Sequence, residues 1–316
     1  MAKYRKHLPQ LGNELFLTDG GMETTLIFHE SIDLPHFAGF DLLKNEAGMN
    51  TLRTYYERYL AIARRHHVGA VLEAPTWRAN PDWATKLGYD STALADANRK
   101  AIGLMLDLRA NHETRDRPMV ISGNIGPRGD GYRADARMSV EQARRYHAQQ
   151  IDIFADTDAD MVSAFTMNYP EEAIGIVQSA RDAGMPVAIS FTVETDGRLS
   201  SGDSLASAIQ RTDAETGVYA AYFMINCAHP LHFEQLLQSD EPWRHRIRGL
   251  RANASRRSHA ELDESTEMDA GDPLELGSQY RELRVRMPRL NVLGGCCGTD
   301  HRHVEQIATA CVPLFR

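Results

Sequence analysis

No run of apolar residues in this chain approaches the roughly 20 needed to cross a membrane. The basic start, Lys3-Tyr4-Arg5-Lys6-His7, leads into no apolar segment of signal-peptide length, so a cytoplasmic protein without membrane attachment is expected. Positive charge is also short. Lys and Arg number 35 against 43 Asp and Glu, and the net charge of −8 argues against a nucleic-acid surface. Repeats and low-complexity tracts are missing, and no domain boundary shows. Cysteine is scarce, with 4 in 316 residues and two of them adjacent. Adjacent cysteines cannot close an ordinary disulfide with each other without strain. Free thiols in a reducing compartment are therefore expected, rather than a disulfide scaffold.

What the chain does contain is the make-up of a globular protein, 42% hydrophobic and 25% charged. Short apolar runs alternate with amphipathic helical segments, the pattern of parallel strands joined by helical crossovers. Eight runs qualify as strands: Leu15–Thr18, Gly69–Glu73, Met119–Gly123, Met161–Phe165, Val187–Thr192, Ala221–Asn226, Ile247–Arg251 and Leu290–Leu293. Ser139 with Gln142 reads as a capping box, Pro170 opens a helix that Gly184 closes, and Asp300 caps the last helix. The stretch 254–280 is the one long irregular piece, rich in charge, and reads either as a solvated excursion or as a lid.

An open doubly wound sheet would show the same alternation, but its polar residues would gather at one switch point. Here Asp19-Gly20-Gly21, Glu73, Asn124, Phe165-Thr166, Asn226-Cys227, Asn253 and Gly294-Gly295-Cys296-Cys297 follow the ends of nearly every strand. That is the rim on which barrel enzymes keep their chemistry. The expected fold is a single-domain α/β protein, a (β/α)8 TIM barrel over residues 1–316.

The run Leu293-Gly294-Gly295-Cys296-Cys297-Gly298-Thr299 carries the most chemical information. Its glycine-flanked cysteines mark a tight exposed turn, and a third cysteine, Cys227, ends the apolar run from Tyr222. Two strand ends can thus deliver three thiolates to one point. Structural zinc sites usually fill all four tetrahedral positions from the protein, whereas three ligands and an open position describe a catalytic site. Cys311 lies in the helical pattern Val304, Ile307, Ala308, Cys311, Val312 and reads as core. His229, His232, His301 and His303 are ligand types at short spacing, but around helix starts they read as caps or surface residues.

Asp19-Gly20-Gly21-Met22, Asn124-Ile125-Gly126-Pro127, Ile225-Asn226-Cys227 and Gly294-Gly295-Cys296-Cys297-Gly298 together resemble the homocysteine S-methyltransferases, in register from about Leu15 to Ile307. That family includes betaine-dependent and S-methylmethionine-dependent enzymes and the homocysteine module of cobalamin-dependent methionine synthase. The resemblance implies a (β/α)8 barrel with Zn2+ on Cys227, Cys296 and Cys297 and the substrate thiol in the fourth position. It implies methyl transfer from a methyl-onium donor to a small-molecule thiol, with homocysteine giving methionine. Another thiol acceptor, a zinc hydrolase and a non-enzymatic zinc protein are the alternatives. S-methylmethionine, dimethylsulfoniopropionate, betaine and S-adenosylmethionine all stay open as donors, as does the oligomeric state.

The resemblance also assigns substrate contacts. Asp19 and Gly20 match the family's acceptor-binding turn, and Trp77, beyond strand two, falls where aromatic donor contacts lie. Aromatic faces attract cations; Trp83 and Tyr169 are further candidates. Arg78 would repel a cationic donor unless it turns away or pairs with a carboxylate such as Asp82. One departure bears on the acceptor: the family's Glu-Thr after strand four is Phe165-Thr166 here. Glu73 is expected to replace the missing carboxylate; otherwise the acceptor is a different thiol.

Overall fold

The computed structural model describes residues 1–238 and 240–315. Eight parallel strands close into a barrel in chain order: β1 (Phe16–Leu17), β2 (Gly69–Glu73), β3 (Met119–Ile125), β4 (Met161–Met167), β5 (Val187–Phe191), β6 (Tyr222–Asn226), β7 (Ile247–Ala252) and β8 (Val292–Gly295). Phe16 pairs with Gly69 on one side and Val292 on the other, which completes the ring. The strands are buried on both faces, as parallel strands flanked by helices must be, and hence read as continuous apolar runs.

The outer layer consists of α1 (Glu46–His66), α2 (Ser91–His112), α3 (Val140–Ala155), α4 (Pro170–Asp182), α5 (Leu205–Thr216), a short α6 (Pro230–Phe233), α7 (His259–Asp263), α8 (Pro273–Arg286) and α9 (His301–Cys311). Their boundaries follow from local chemistry. The Ser139–Gln142 capping box starts α3, Pro170 occupies the first turn of α4, and Asp300 caps α9. Gly184 takes a left-handed φ just past α4. The stretch 254–280 is partly ordered as α7 and the start of α8, joined by an irregular piece.

Side chains alternate along each strand. Phe16, Val71, Val120, Met161, Tyr222 and Val292 point inward as a compact barrel core, separate from the larger core between strands and helices. The N-terminal segment covers the lower end: Leu8 packs on this inner core, and the Arg5 guanidinium donates to the carbonyls of Ala155, Thr157 and Ala159. Two or four residues further along these strands, and at the end of β7, the same alternation aims Glu73, Asn124, Phe165, Asn226 and Arg251 into the upper end. Position in the pleat thus decides what the upper cavity contains.

Candidate metal centre

Cys227 follows β6 and Cys296 and Cys297 follow β8, with β7 between them, so the three sulfurs come from two strand ends on either side of β7. All three Sγ atoms lie within 4.8 Å of one another. The turn that carries Cys296 and Cys297 depends on glycine: a Cβ on Gly294 would overlap Thr18 Oγ1, and one on Gly295 would overlap Thr299 Oγ1. Gly298 sits at φ 77°, where a Cβ would also come within 2.7 Å of the Asp269 carbonyl. Cys227 itself has φ 54°, an uncommon conformation for a residue with a side chain.

Cys227 and Cys296 bring their sulfurs closest together of the three, with Cα atoms 5.4 Å apart. Cys297 is free, 4.0 Å from Cys227 Sγ, and Tyr132 Oη lies 3.6 Å from its sulfur. Burial pushes the Cys297 thiol up. Cys311 is buried inside α9 and far up in pKa, at about 12, because of burial; it packs as core.

The sulfurs form one wall of a cavity of about 360 Å³ at the upper end of the barrel. Its floor is charged. Arg251 Nη1 stands 2.7 Å from Asp19 Oδ1, and Arg251 also donates to the carbonyls of Gly20 and Gly295. Tyr55 Oη donates to Asp19 Oδ2. Burial opposes the charge on Arg251, but Asp19 and Glu73 outweigh it and hold the guanidinium firmly protonated. Gly20 lies against Tyr59 and Thr299, where a Cβ would come within 2.8 Å of the Tyr59 hydroxyl.

Glu73 is buried on the same floor. Its Oε1 accepts from Ser163 at 3.1 Å, whereas Oε2 has no partner. Burial pushes its carboxyl up to about 7, with Arg251 and Ser122 pulling the other way. Phe165 sits across from it beneath the Arg251 guanidinium, 5.1 Å from the ring centroid. Glu23, at the cavity wall, is also pushed up to about 7, by burial and then by Asp19.

Trp77 lines the cavity, and its Nε1 donates to the Phe165 carbonyl at 3.3 Å. Arg78 neither turns away nor pairs with Asp82. Its guanidinium lies 4.4 Å from the Trp77 centroid and 3.6 Å from that of Trp83, while Asp82 pairs with Arg128 at 2.8 Å. The two indoles stabilise the guanidinium by cation–π attraction, leaving Asp82 to a nearer partner. Tyr169 is buried away from the cavity, and its hydroxyl oxygen accepts from the Met138 N–H at 3.1 Å.

The histidines take the roles expected of helix-start residues. His229 Nδ1 accepts from Leu231 N, His232 bonds the Arg256 carbonyl, His303 caps α9 with Asp300, and His301 is exposed. Burial holds His229 down at about 4. Among the described residues, the group placed to hold a metal consists of Cys227, Cys296 and Cys297.

Sequence reasoning missed Arg251, Glu23, Tyr132 and His259, all of which line the cavity. Arg251 was legible: it lies two residues past Gly249 on an inward-facing register, at the upper end of β7. The other three come from the connections that follow strands, for which strand alternation gives no direction.

A family model described as homocysteine S-methyltransferase matches residues 16–311. Among solved structures, the chain is similar to the homocysteine methyltransferase MmuM from Escherichia coli. To the metallated form it is 17% identical, covering 97% of this chain and 99% of that one, with a TM-score of 0.73. To the oxidized form it is 19% identical over the same shares, with a TM-score of 0.74. At these identities the likeness establishes the fold. Comparison with curated proteins gives no match.

Proposed function

From the premise that this chain belongs to the homocysteine S-methyltransferase family and is an S-methyltransferase, we propose that it moves a methyl group from an onium donor to a thiol. The thiol is homocysteine, giving methionine, and Cys227, Cys296 and Cys297 hold zinc. One observation carries this reading: three sulfurs from two strand ends converge on the wall of a cavity large enough for two small molecules. As thiolates they offer the soft ligand set that suits zinc, with one tetrahedral position left over. Zinc bound there would deprotonate an incoming thiol and keep it nucleophilic at neutral pH.

The chain's own residues supply position and charge. Asp19 is already engaged by Arg251 and Tyr55, so it acts by fixing Arg251 and the Gly20 turn at the acceptor end. Glu73, with one oxygen unpartnered and buried, is the group that meets the acceptor's ammonium. It thereby replaces the carboxylate lost where Phe165 stands. Trp77 and Glu23 line the donor's part of the cavity, where an aromatic face and an acidic wall suit a cation. In the transfer, the donor's methyl–heteroatom bond breaks with its electron pair staying on the donor, which leaves as a neutral thioether or amine. The new carbon–sulfur bond forms from a sulfur lone pair. No general acid is required, and alignment of the two ligands supplies the acceleration.

A different thiol acceptor is the second reading, favoured by Phe165 and the Arg251 cation lying over it.

The test is metal content and turnover in reduced protein. One zinc per chain is expected, with loss of metal and methyl transfer in Cys296→Ala and Cys227→Ser and of neither in Cys311→Ala. Full zinc retention in the first two variants overturns the assignment. A panel of thiols and methyl-onium compounds, with products detected by mass, then separates the two acceptor readings.

A further inference from the structure

The stretch 254–280 does more than cover the cavity. Ala254 N donates to the Cys297 carbonyl at 3.1 Å, and Gly298 passes close beneath Asp269. From α7, His259 reaches inward and is buried. Its Nε2 donates to the Cys227 carbonyl at 2.5 Å, and its Nδ1 bonds Glu194 Oε1 at 2.9 Å, beyond the end of β5. Its ring stacks on Tyr132 with centroids 4.1 Å apart, and the Tyr132 hydroxyl is the group 3.6 Å from Cys297 Sγ. One stacked pair therefore touches two of the three cysteines.

Cys227 is the cysteine that most needs such support. Its left-handed backbone costs about 1–3 kcal/mol and persists only where surrounding bonds over-determine it. Asn253 Nδ2 at 3.0 Å also donates to the same carbonyl from the turn that begins the covering segment, and Thr192 Oγ1 reaches it more distantly, at 3.5 Å, from the end of β5. The two closer holds on the Cys227 carbonyl thus depend on where that segment lies.

We propose that His259 and Tyr132 are positioning residues through which the segment 254–280 acts as a lid, so that lid closure and alignment of the cysteines for metal are one event. The proposal rests on the reading of the three cysteines as metal ligands. Glu194 orients the His259 ring by taking Nδ1, which directs Nε2 at Cys227. With the lid open, Cys227 loses a carbonyl donor and Cys297 loses the nearby hydroxyl. Because coupling is reciprocal, metal on the cysteines must hold the lid shut as strongly as the shut lid holds the metal.

Hydrogen exchange and zinc release test this in the full chain. Zinc is expected to slow deuterium uptake over residues 256–266 in the wild type but not in His259→Ala. That variant should give up zinc to a chelator about 10–100-fold faster. His259→Gln keeps a donor for the Cys227 carbonyl and should recover part of the difference. In cobalt-substituted protein, Tyr132→Phe should shift the sulfur-to-metal absorption while His259→Gln shifts it little. If His259→Ala does not fold, Glu194→Gln provides the same comparison. Wild type that binds zinc with unchanged exchange over 256–266, or variants that release zinc at the wild-type rate, overturn the lid coupling. Wild type that binds no zinc overturns the ligand reading itself.

Discussion

Arg251 closes a buried ion pair on Asp19, Nη1 to Oδ1 at 2.7 Å, at the floor of the cavity. The pair removes Asp19 as a free anion and sets a fixed cation over Phe165, at the position where the family's carboxylate is missing. Charge in this pocket has been rearranged rather than deleted. Glu73 is the floor carboxylate that retains an unpartnered oxygen.

Removing one member of the pair should be costly. Arg251→Met leaves Asp19 buried and uncompensated, which typically destabilises by about 3–5 kcal/mol. Adding Asp19→Asn should recover most of that loss. Urea denaturation of the two variants checks this, and equal losses in single and double variants would show that the guanidinium matters for its contacts to Gly20 and Gly295 rather than for charge.

Glu73→Gln should raise the Michaelis constant for homocysteine about tenfold or more, since a charge-assisted hydrogen bond contributes about 1.5–3 kcal/mol. A thiol without an amino group should be spared. Phe165→Glu should not restore the family's site by itself, because the new carboxylate would meet Arg251 before any ammonium. Steady-state kinetics with both thiols decide the matter. Homocysteine turnover indifferent to Glu73→Gln would place the ammonium elsewhere, with Glu23 next in line.

Much of this was legible in the chain. All eight strands follow from apolar runs, and glycines around the cysteine pair announce its turn. The discrepancies have local causes. β8 extends through Gly295, since glycines pair with Arg251 and Ala252 without carrying a strand's usual apolar signal. Leu290 belongs instead to a turn back to Met287. Within the site, strand residues could be assigned by alternation, but Glu23, Tyr132 and His259 reach the cavity from connections between strands whose direction only the folded chain reveals. Arg78 shows the same limit: its partner was sought among carboxylates, and two indole rings took it.

Trp77 and Arg78 should act in opposite directions on the donor. Arg78→Ala removes a cation and uncovers the indole face, so the Michaelis constant of a cationic donor should fall while that of a neutral analogue stays unchanged. Trp77→Ala should weaken the cationic donor by about 1–2 kcal/mol. Kinetics with a sulfonium donor and its neutral isostere provide the check. Equal shifts for both donors would mean that the indole and guanidinium only pack.

Glu73 should also leave a mark on stability against pH. Its carboxyl is held at about 7 in the folded protein by burial, against an ordinary value of 4.5. Between those values the folded state keeps a proton that the unfolded chain has shed. Stability is therefore fully present below about pH 4.5, falls as pH rises through the window, and levels off above about 7. Glu23, raised for the same reason, adds to the slope. Glu73→Gln carries no such proton, so it should lose less stability than the wild type between about pH 5 and pH 8, the difference amounting to no more than about 3 kcal/mol. Urea denaturation of the reduced, metal-free proteins at the two pH values measures it. Parallel losses in wild type and variant would show that Glu73 ionises in the folded protein much as it does in the unfolded chain, and its unpartnered oxygen would then have to be solvated rather than waiting for an ammonium.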